Sequence, residues 1–163
     1  MVRAVFFDIG ETLIDETRQW MEWADWLDVP RFTFLAVLGG VIERGESHRR
    51  VFELLRPDID VDEESVRRRS RDQQELYKSS DLYPDAVACL EALTEEGYRI
   101  GLVGNQPEDA EEALRRLNLP FDMLASSAGW GIAKPDPAFF ARIAETAGLP
   151  AGEIAYVGDR LDS

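Results

Sequence analysis

Short, near-continuous apolar runs alternate with amphipathic stretches along most of this chain. Val2 to Phe7, Tyr98 to Val103, Phe121 to Ala125 and Ile154 to Val157 are too short for helices and mostly rich in Val, Ile and aromatic residues, so they read as strands. A parallel strand is covered by helices on both faces, which is why it needs apolar residues at successive positions. The stretches between the runs carry helix punctuation. Asp85 to Glu96 places Val87, Leu90 and Leu93 on one face and stops at Gly97. Pro107 stands at a first helical position, followed by Glu108, Asp109, Glu111 and Glu112 and then by Arg115 and Arg116, the order a helix dipole favours. Asp136 and Pro137 open a further helix that runs to about Ala147 and ends at Gly148. Strand and helix in alternation predict an α/β fold on a parallel sheet.

Residues 16–80 break that alternation. Trp20, Trp23 and Leu27 form one stripe of a helix over Glu16 to Asp28. Phe32 to Arg44 is an apolar helix interrupted by Gly39-Gly40, and Ser47 to Leu55 and Asp62 to Lys78 predict two more. The last carries Arg67, Arg68, Arg69 and Arg71 and reads as a solvated outer helix. The expected organisation is a core of residues 1–15 and 81–163 with an all-helical insert, 16–80, between its first and second strands.

Composition narrows the function. The 163 residues, 45% of them hydrophobic, suffice for a buried core without disulfides. Thirty-two acids against 18 bases give a net charge of −14, a field that repels nucleic acid and anionic membranes. Cys89 is the sole cysteine, so no intrachain disulfide or multi-cysteine metal site forms, and the expected setting is cytoplasmic. No apolar run reaches the length of a membrane span. Lys78 and Lys134 are the only lysines; every other basic residue is arginine. The oligomeric state stays open.

Candidate chemistry lies at the strand ends, where open α/β sheets bind ligands. The first strand runs into Asp8-Ile9-Gly10-Glu11-Thr12, the second into Gly104-Asn105, the third is followed by Lys134-Pro135-Asp136, and the fourth by Gly158-Asp159. Each piece has an ordinary reading: a cap, a turn dipeptide, a surface lysine. In this order on this frame, two carboxylates, an ammonium and a helix N-terminus are expected in one crevice.

These segments resemble the haloacid dehalogenase-like hydrolase superfamily over nearly the whole chain. The matching residues are Phe6 to Leu13 (FFDIGETL), Leu82-Tyr83-Pro84-Asp85, Leu102 to Asn105, Lys134 to Pro137 and Val157-Gly158-Asp159. The resemblance implies a Rossmann-like core, a helical cap closing over the site, and phosphatase chemistry on a small phosphorylated metabolite. It implies Asp8 as the nucleophile and Lys134 as the charge for phosphoryl oxygens. Gly104, Asn105 and Lys134 would bind the phosphate, and Asp8, the Gly10 carbonyl and Asp159 would hold Mg²⁺. Carboxylates, a carbonyl and waters suit that hard cation. Pro107 leaves the amides of Asn105 and Gln106 to face an anion.

Three positions depart from the family pattern. Gly10 stands where its phosphatases carry a second Asp as general acid and base, a function worth about 10²–10⁴-fold in rate. The expectation is a preference for activated leaving groups; Glu11 is adjacent, but to substitute it would have to turn its side chain into the site. Gly104 replaces the Ser or Thr at the end of the second strand. A final acid is due four or five residues after Asp159, where Ser163 ends the chain; Asp162 is a stand-in at a different spacing, and the C-terminal part of the core is expected to be missing.

Gly10 and Gly104 also support a second reading, a catalytically impaired relative that binds a ligand or partner. Two other chemistries of the superfamily fit the resemblance less well: phosphonate cleavage needs a lysine from the insert, for which Lys78 is the sole candidate at its far end, and dehalogenation usually goes with a bulkier residue at position 10. His48 reads as a surface or capping residue, Trp20, Trp23 and Trp26 as core of the insert, and Cys89 as a buried small hydrophobe.

Overall fold

The first apolar run becomes the middle of the sheet. In a computed structural model that describes residues 1–72, 75–107 and 109–160, β1 (Ala4–Phe7) is buried along its whole length. It lies between β2 (Arg99–Gly104) and β4 (Ile154–Val157), with β3 (Met123–Ser126) outside β2, giving the order β3-β2-β1-β4. All three pairings are parallel, and Phe7 is in register with Leu102 on one side and Val157 on the other. The sheet is therefore the Rossmann-like α/β layer expected from the alternation.

Successive residues of β1 point to opposite faces, so the strand seeds two cores. Val5 and Phe7 join Ile100, Leu102, Leu90 and Leu114 on one face. Ala4 and Phe6 join Val103, Phe139 and Ile143 on the other. Helices α5 (Ala86–Glu95) and α6 (Asp109–Arg116) supply Leu90 and Leu114, and α8 (Pro137–Ala147) supplies Phe139 and Ile143. Gly101 is required here: a Cβ at that position would come within 2.1 Å of the Phe6 ring. The punctuation around α8 is as read, with Asp136 accepting the Ala138 N–H at 2.8 Å and Gly148 in the left-handed region at φ 64°.

Two details of this unit differ from the pattern. The buried line on α5 runs through Ala86 and Leu90 to the partly buried Leu93. Val87 and Cys89 turn off it and are exposed, so Cys89 is not a core residue. A one-turn helix, α7 (Ser127–Trp130), follows β3 directly, capped by Ser126, whose hydroxyl takes the Gly129 N–H at 3.0 Å.

The chain divides into two compact units, Met1–Asp15 with Leu76–Ser163, and Glu16–Glu75. Tyr77, expected in the insert, is 4% exposed within the sheet unit's core, so the return crossing falls at 75/76 and not 80/81. The second unit consists of α1 (Thr17–Trp26), α2 (Arg31–Glu43), α3 (Arg50–Leu55) and α4 (Val61–Asp72). Its core is Ala24, Leu27, Phe34, Leu38, Val51 and Phe52, and Trp20, Trp23 and Trp26 pack against it. The exposed His48 sets its ring edgewise against Trp20. One arginine of α4 is not solvated: Arg68 is 8% exposed, with its guanidinium 4.4 Å from the centre of the Trp23 ring. A flat, weakly hydrated cation covers an indole where the charge pattern suggested water.

Candidate functional site

The end of β1 carries the charge. Asp8 follows Phe7 directly, and its N–H donates to the Val157 carbonyl at 2.8 Å, prolonging the ladder to β4 by one residue. Its carboxylate has both oxygens engaged. Oδ1 accepts the Ile9 N–H at 2.8 Å, and Oδ2 accepts from Lys134 Nζ at 2.5 Å. Asp8 is 7% exposed and Lys134 8%, so the pair is shielded from water and its charge-assisted bond is strong.

Lys134 reaches Asp8 because its backbone is clamped. Its N–H donates to Asn105 Oδ1 at 2.8 Å, and its carbonyl accepts from Asn105 Nδ2 at 2.9 Å. The side chain of Asn105 thus ties the end of β2 to the loop before α8. The Gln106 N–H, expected to face an anion as well, is turned onto the Gly104 carbonyl at 3.0 Å. A tight turn across Asn105 takes that donor before α6 begins.

Gly10 sits in a turn whose hydrogen bonds end on the carbonyls of Ile9 and Ile14. Glu11 beside it takes a left-handed backbone, φ 54°, and accepts the Tyr83 hydroxyl at 2.8 Å. That bond, then burial, then the charges of Glu11, Asp15 and Asp159 push the Tyr83 phenol up to about 12. Asp159 lies just past β4 and is exposed. Asp8 follows Phe7 and Asp159 lies two residues past Val157, and Phe7 and Val157 are in register on parallel strands, so both residues stand at the same end of the sheet. Lys78, partly buried, opens a short turn in which its N–H donates to Asp81. Asp162 lies outside the described residues.

The apolar run at β4 concealed Tyr156. Its hydroxyl donates to the Val103 carbonyl at 2.8 Å, and Lys134 Nζ stands 5.4 Å from the centre of its ring. Burial, and then the charges of Asp8 and Asp159, push its phenol above the usual range, so it stays a neutral donor. It gives Lys134 a π face on one side while Asp8 holds the other. Tyrosine alone among strand-forming aromatics pairs a packing ring with a hydroxyl, and that is the one signal the sequence carried.

Among the described residues no three His, Cys, Asp or Glu side chains gather at one metal position. The groups at Asp8, Asp159 and Gly10, two carboxylates and one carbonyl, are nevertheless of the donor types that Mg²⁺ takes. This ion is bound through one or two carboxylates and keeps several waters. Each Asp8 oxygen retains a lone pair beyond the bond it already accepts.

The chain matches the haloacid dehalogenase-like hydrolases over residues 2–162. It belongs to that family. This hydrolase is 30% identical to a glyceraldehyde 3-phosphate phosphatase of Methanopyrus kandleri, in an alignment that covers 99% of this chain and 77% of the relative. A phosphoglycolate phosphatase of Rhodospirillum rubrum is 36% identical over 48% of this chain and 34% of its own length. Among solved structures, a haloacid dehalogenase superfamily hydrolase of Geobacter sulfurreducens superposes with a TM-score of 0.71 at 19% identity, covering 99% of this chain and 80% of that one. A phosphatase of the same superfamily from Thermococcus onnurineus does so at 0.60 and 24%, covering 99% and 79%. The two structures speak for the fold.

Proposed function

We propose that this hydrolase is a Mg²⁺-dependent phosphohydrolase of a small phosphorylated metabolite that works through an aspartyl-phosphate on Asp8. The observation that carries the reading is the buried Asp8–Lys134 pair at 2.5 Å, at the end of the central strand. A carboxylate held by one N–H and one ammonium is a positioned nucleophile, and the same ammonium can turn to the oxygens of an arriving phosphoryl group. Two relatives named for small phosphorylated molecules support the substrate class.

In this reading Asp8 Oδ attacks phosphorus, the P–O bond to the leaving group breaks, and water then hydrolyses the acyl phosphate to regenerate the carboxylate and release phosphate. Asp8, the Gly10 carbonyl and Asp159 would hold Mg²⁺, which when bound offsets negative charge on the phosphoryl oxygens. The amide of Asn105 and the ammonium of Lys134 bind those oxygens, and Asn105 keeps Lys134 in place. Gly10 offers no side chain to protonate the departing oxygen, so leaving groups that need no proton are favoured.

Trapping with labelled substrate tests this directly. Asp8→Asn is expected to abolish turnover and phosphoenzyme, chelation to reduce turnover and added Mg²⁺ to restore it, and aryl phosphates to outrun alkyl phosphates by about 10²-fold or more. Turnover surviving in Asp8→Asn sinks the mechanism. Metal binding without any phosphoenzyme would favour the ligand-binding reading that Gly10 and Gly104 motivate.

A further inference from the structure

The proposed reaction takes away the partner on which Lys134 depends. In the resting site its ammonium is held by Asp8 Oδ2 at 2.5 Å, and the lysine is 8% exposed. Once an Asp8 oxygen is bonded to phosphorus the carboxylate has lost its charge, and the negative charge stands on the phosphoryl oxygens. The Asn105 clamp grips only the backbone of Lys134, which leaves a flexible four-carbon stem free to turn. The ring of Tyr156 is a contact that the reaction leaves alone. Two neighbours fix it. Its hydroxyl reaches past β1 to donate to the Val103 carbonyl of β2 at 2.8 Å, and Phe140 stands edgewise against it, ring centres 5.4 Å apart at 87°. Lys134 Nζ lies over the ring at 5.4 Å from its centre, inside the range of about 6 Å over which an aromatic face attracts a cation. That attraction is the same whether Asp8 is free or phosphorylated.

We propose that Tyr156 is a positioning residue for Lys134: its ring face keeps the ammonium at the end of β1 while the negative charge passes from Asp8 to the phosphoryl group. This rests on the reading of Asp8 as nucleophile. The hydroxyl bond to Val103 orients the ring, and the face acts on the ammonium, so a phenylalanine keeps the function and an aliphatic residue of similar bulk loses it.

Lys78 and Lys134 are the only lysines, so protein labelled in lysine gives two Cε–H signals by NMR, which Lys78→Arg assigns. Protons beside an ammonium over a ring are shielded, and the Lys134 signal is expected upfield. It should stay upfield in Tyr156→Phe and in Asp8→Asn, which removes the carboxylate charge as phosphorylation does, and return to its ordinary position in Tyr156→Leu. In steady-state kinetics Tyr156→Leu should lower kcat about 10-fold with KM nearly unchanged, and Tyr156→Phe should recover most of that loss. An unshifted Lys134 signal in the parent, or its return to the ordinary position in Asp8→Asn, overturns the proposal. So does an unchanged kcat in Tyr156→Leu, a loss confined to KM, or a Tyr156→Phe enzyme as slow as Tyr156→Leu. Should Tyr156→Leu fail to fold, phenylalanines carrying one to three fluorines at position 156 weaken the face with little change of shape. A kcat that falls with each fluorine supports the role, and a flat series overturns it. The two readings fail separately: full activity in Asp8→Asn refutes the nucleophile, whereas the lysine spectrum reports on the ring whatever the reaction proves to be.

Discussion

Two ion pairs, one in each unit of this hydrolase, use charge in opposite ways. In the sheet unit the side chains of Lys134 and Asp8 are 5% and 10% exposed and meet at a strand end. In the helical unit Arg49 and Asp62 make two parallel bonds, at 2.8 and 2.9 Å, with side chains 57% and 78% exposed. Geometry alone ranks the second pair the better of the two. Desolvation reverses the ranking: two charges withdrawn from water depend on each other, while two charges in water are nearly indifferent to their pairing. The apolar cores differ less. Phe34 in one unit and Phe139 in the other are both fully buried. What separates the two pairs is the exclusion of solvent, and the excluded pair is the one where chemistry is proposed.

The harshest way to break this comparison is to remove one half of the buried pair. Lys134→Ala is expected to abolish turnover and to cost about 3–5 kcal/mol of stability by leaving Asp8 buried without its partner. Urea unfolding followed by the sheet unit's circular dichroism measures it, and adding Asp8→Asn should recover part of the loss because the orphaned charge is gone. A cost below about 1 kcal/mol in Lys134→Ala would put the pair in the same class as Arg49–Asp62.

A comparable loss without any charge tests the other side. Phe34 is 0% exposed and faces Trp20 and Phe52 at 6.2 and 5.9 Å between ring centres. Phe34→Ala is expected to cost about 3–5 kcal/mol through lost transfer energy and a cavity. Tryptophan fluorescence should register the change in the helical unit, while the Asp8–Lys134 geometry stays as it is. A loss under about 1 kcal/mol would mean that this core repacks freely.

The sequence made the frame legible and left the locks on it obscure. β1, β2, β3 and β4 fall within a few residues of the apolar runs because a doubly covered parallel strand has to be apolar at successive positions. Asp8, Lys134 and Asp159 could be read only together, as charges following successive strands in one order, since each alone has an ordinary reading as a cap, a surface lysine or a turn residue. Asn105 as a clamp on Lys134 and the ring of Tyr156 beneath the ammonium could not, since each depends on a partner some 29 or 22 residues away that only the sheet order brings near. Arg68 and Cys89 were misplaced for one shared reason. Helical periodicity ranks faces by average polarity, and it does not foresee a guanidinium laid on Trp23 or a thiol turned just off the line of Ala86 and Leu90.

Tyr83 sharpens the comparison through pH. Its phenol stands near 10.0 ordinarily and is pushed up to about 12 in the folded protein, first by its bond to Glu11. A folded-state value above the unfolded one means that the folded protein holds the proton more tightly. The stabilisation is therefore complete below pH 10.0 and is lost as pH rises toward about 12. Tyr83→Phe should flatten the decline in that window, read by thermal unfolding from neutral pH upward. An unchanged slope would place the source of the alkaline loss elsewhere.

The smallest expected effect is the most pointed. Arg49→Ala removes a bidentate pair that looks in every coordinate like a strong interaction, yet both side chains are mostly in water. Its expected cost is at most about 1 kcal/mol, and salt should erase much of that, because the Debye length shrinks from about 10 Å at 0.1 M to about 3 Å at 1 M. Chemical denaturation by urea at the two ionic strengths decides the matter, since guanidinium salts would screen the pair themselves. A loss above about 2 kcal/mol that persists at high salt would show that Arg49 contributes through packing of its aliphatic stem and not through charge. The exposed and buried pairs would then differ in the kind of contact they make, and solvent exclusion alone would no longer account for the gap between them.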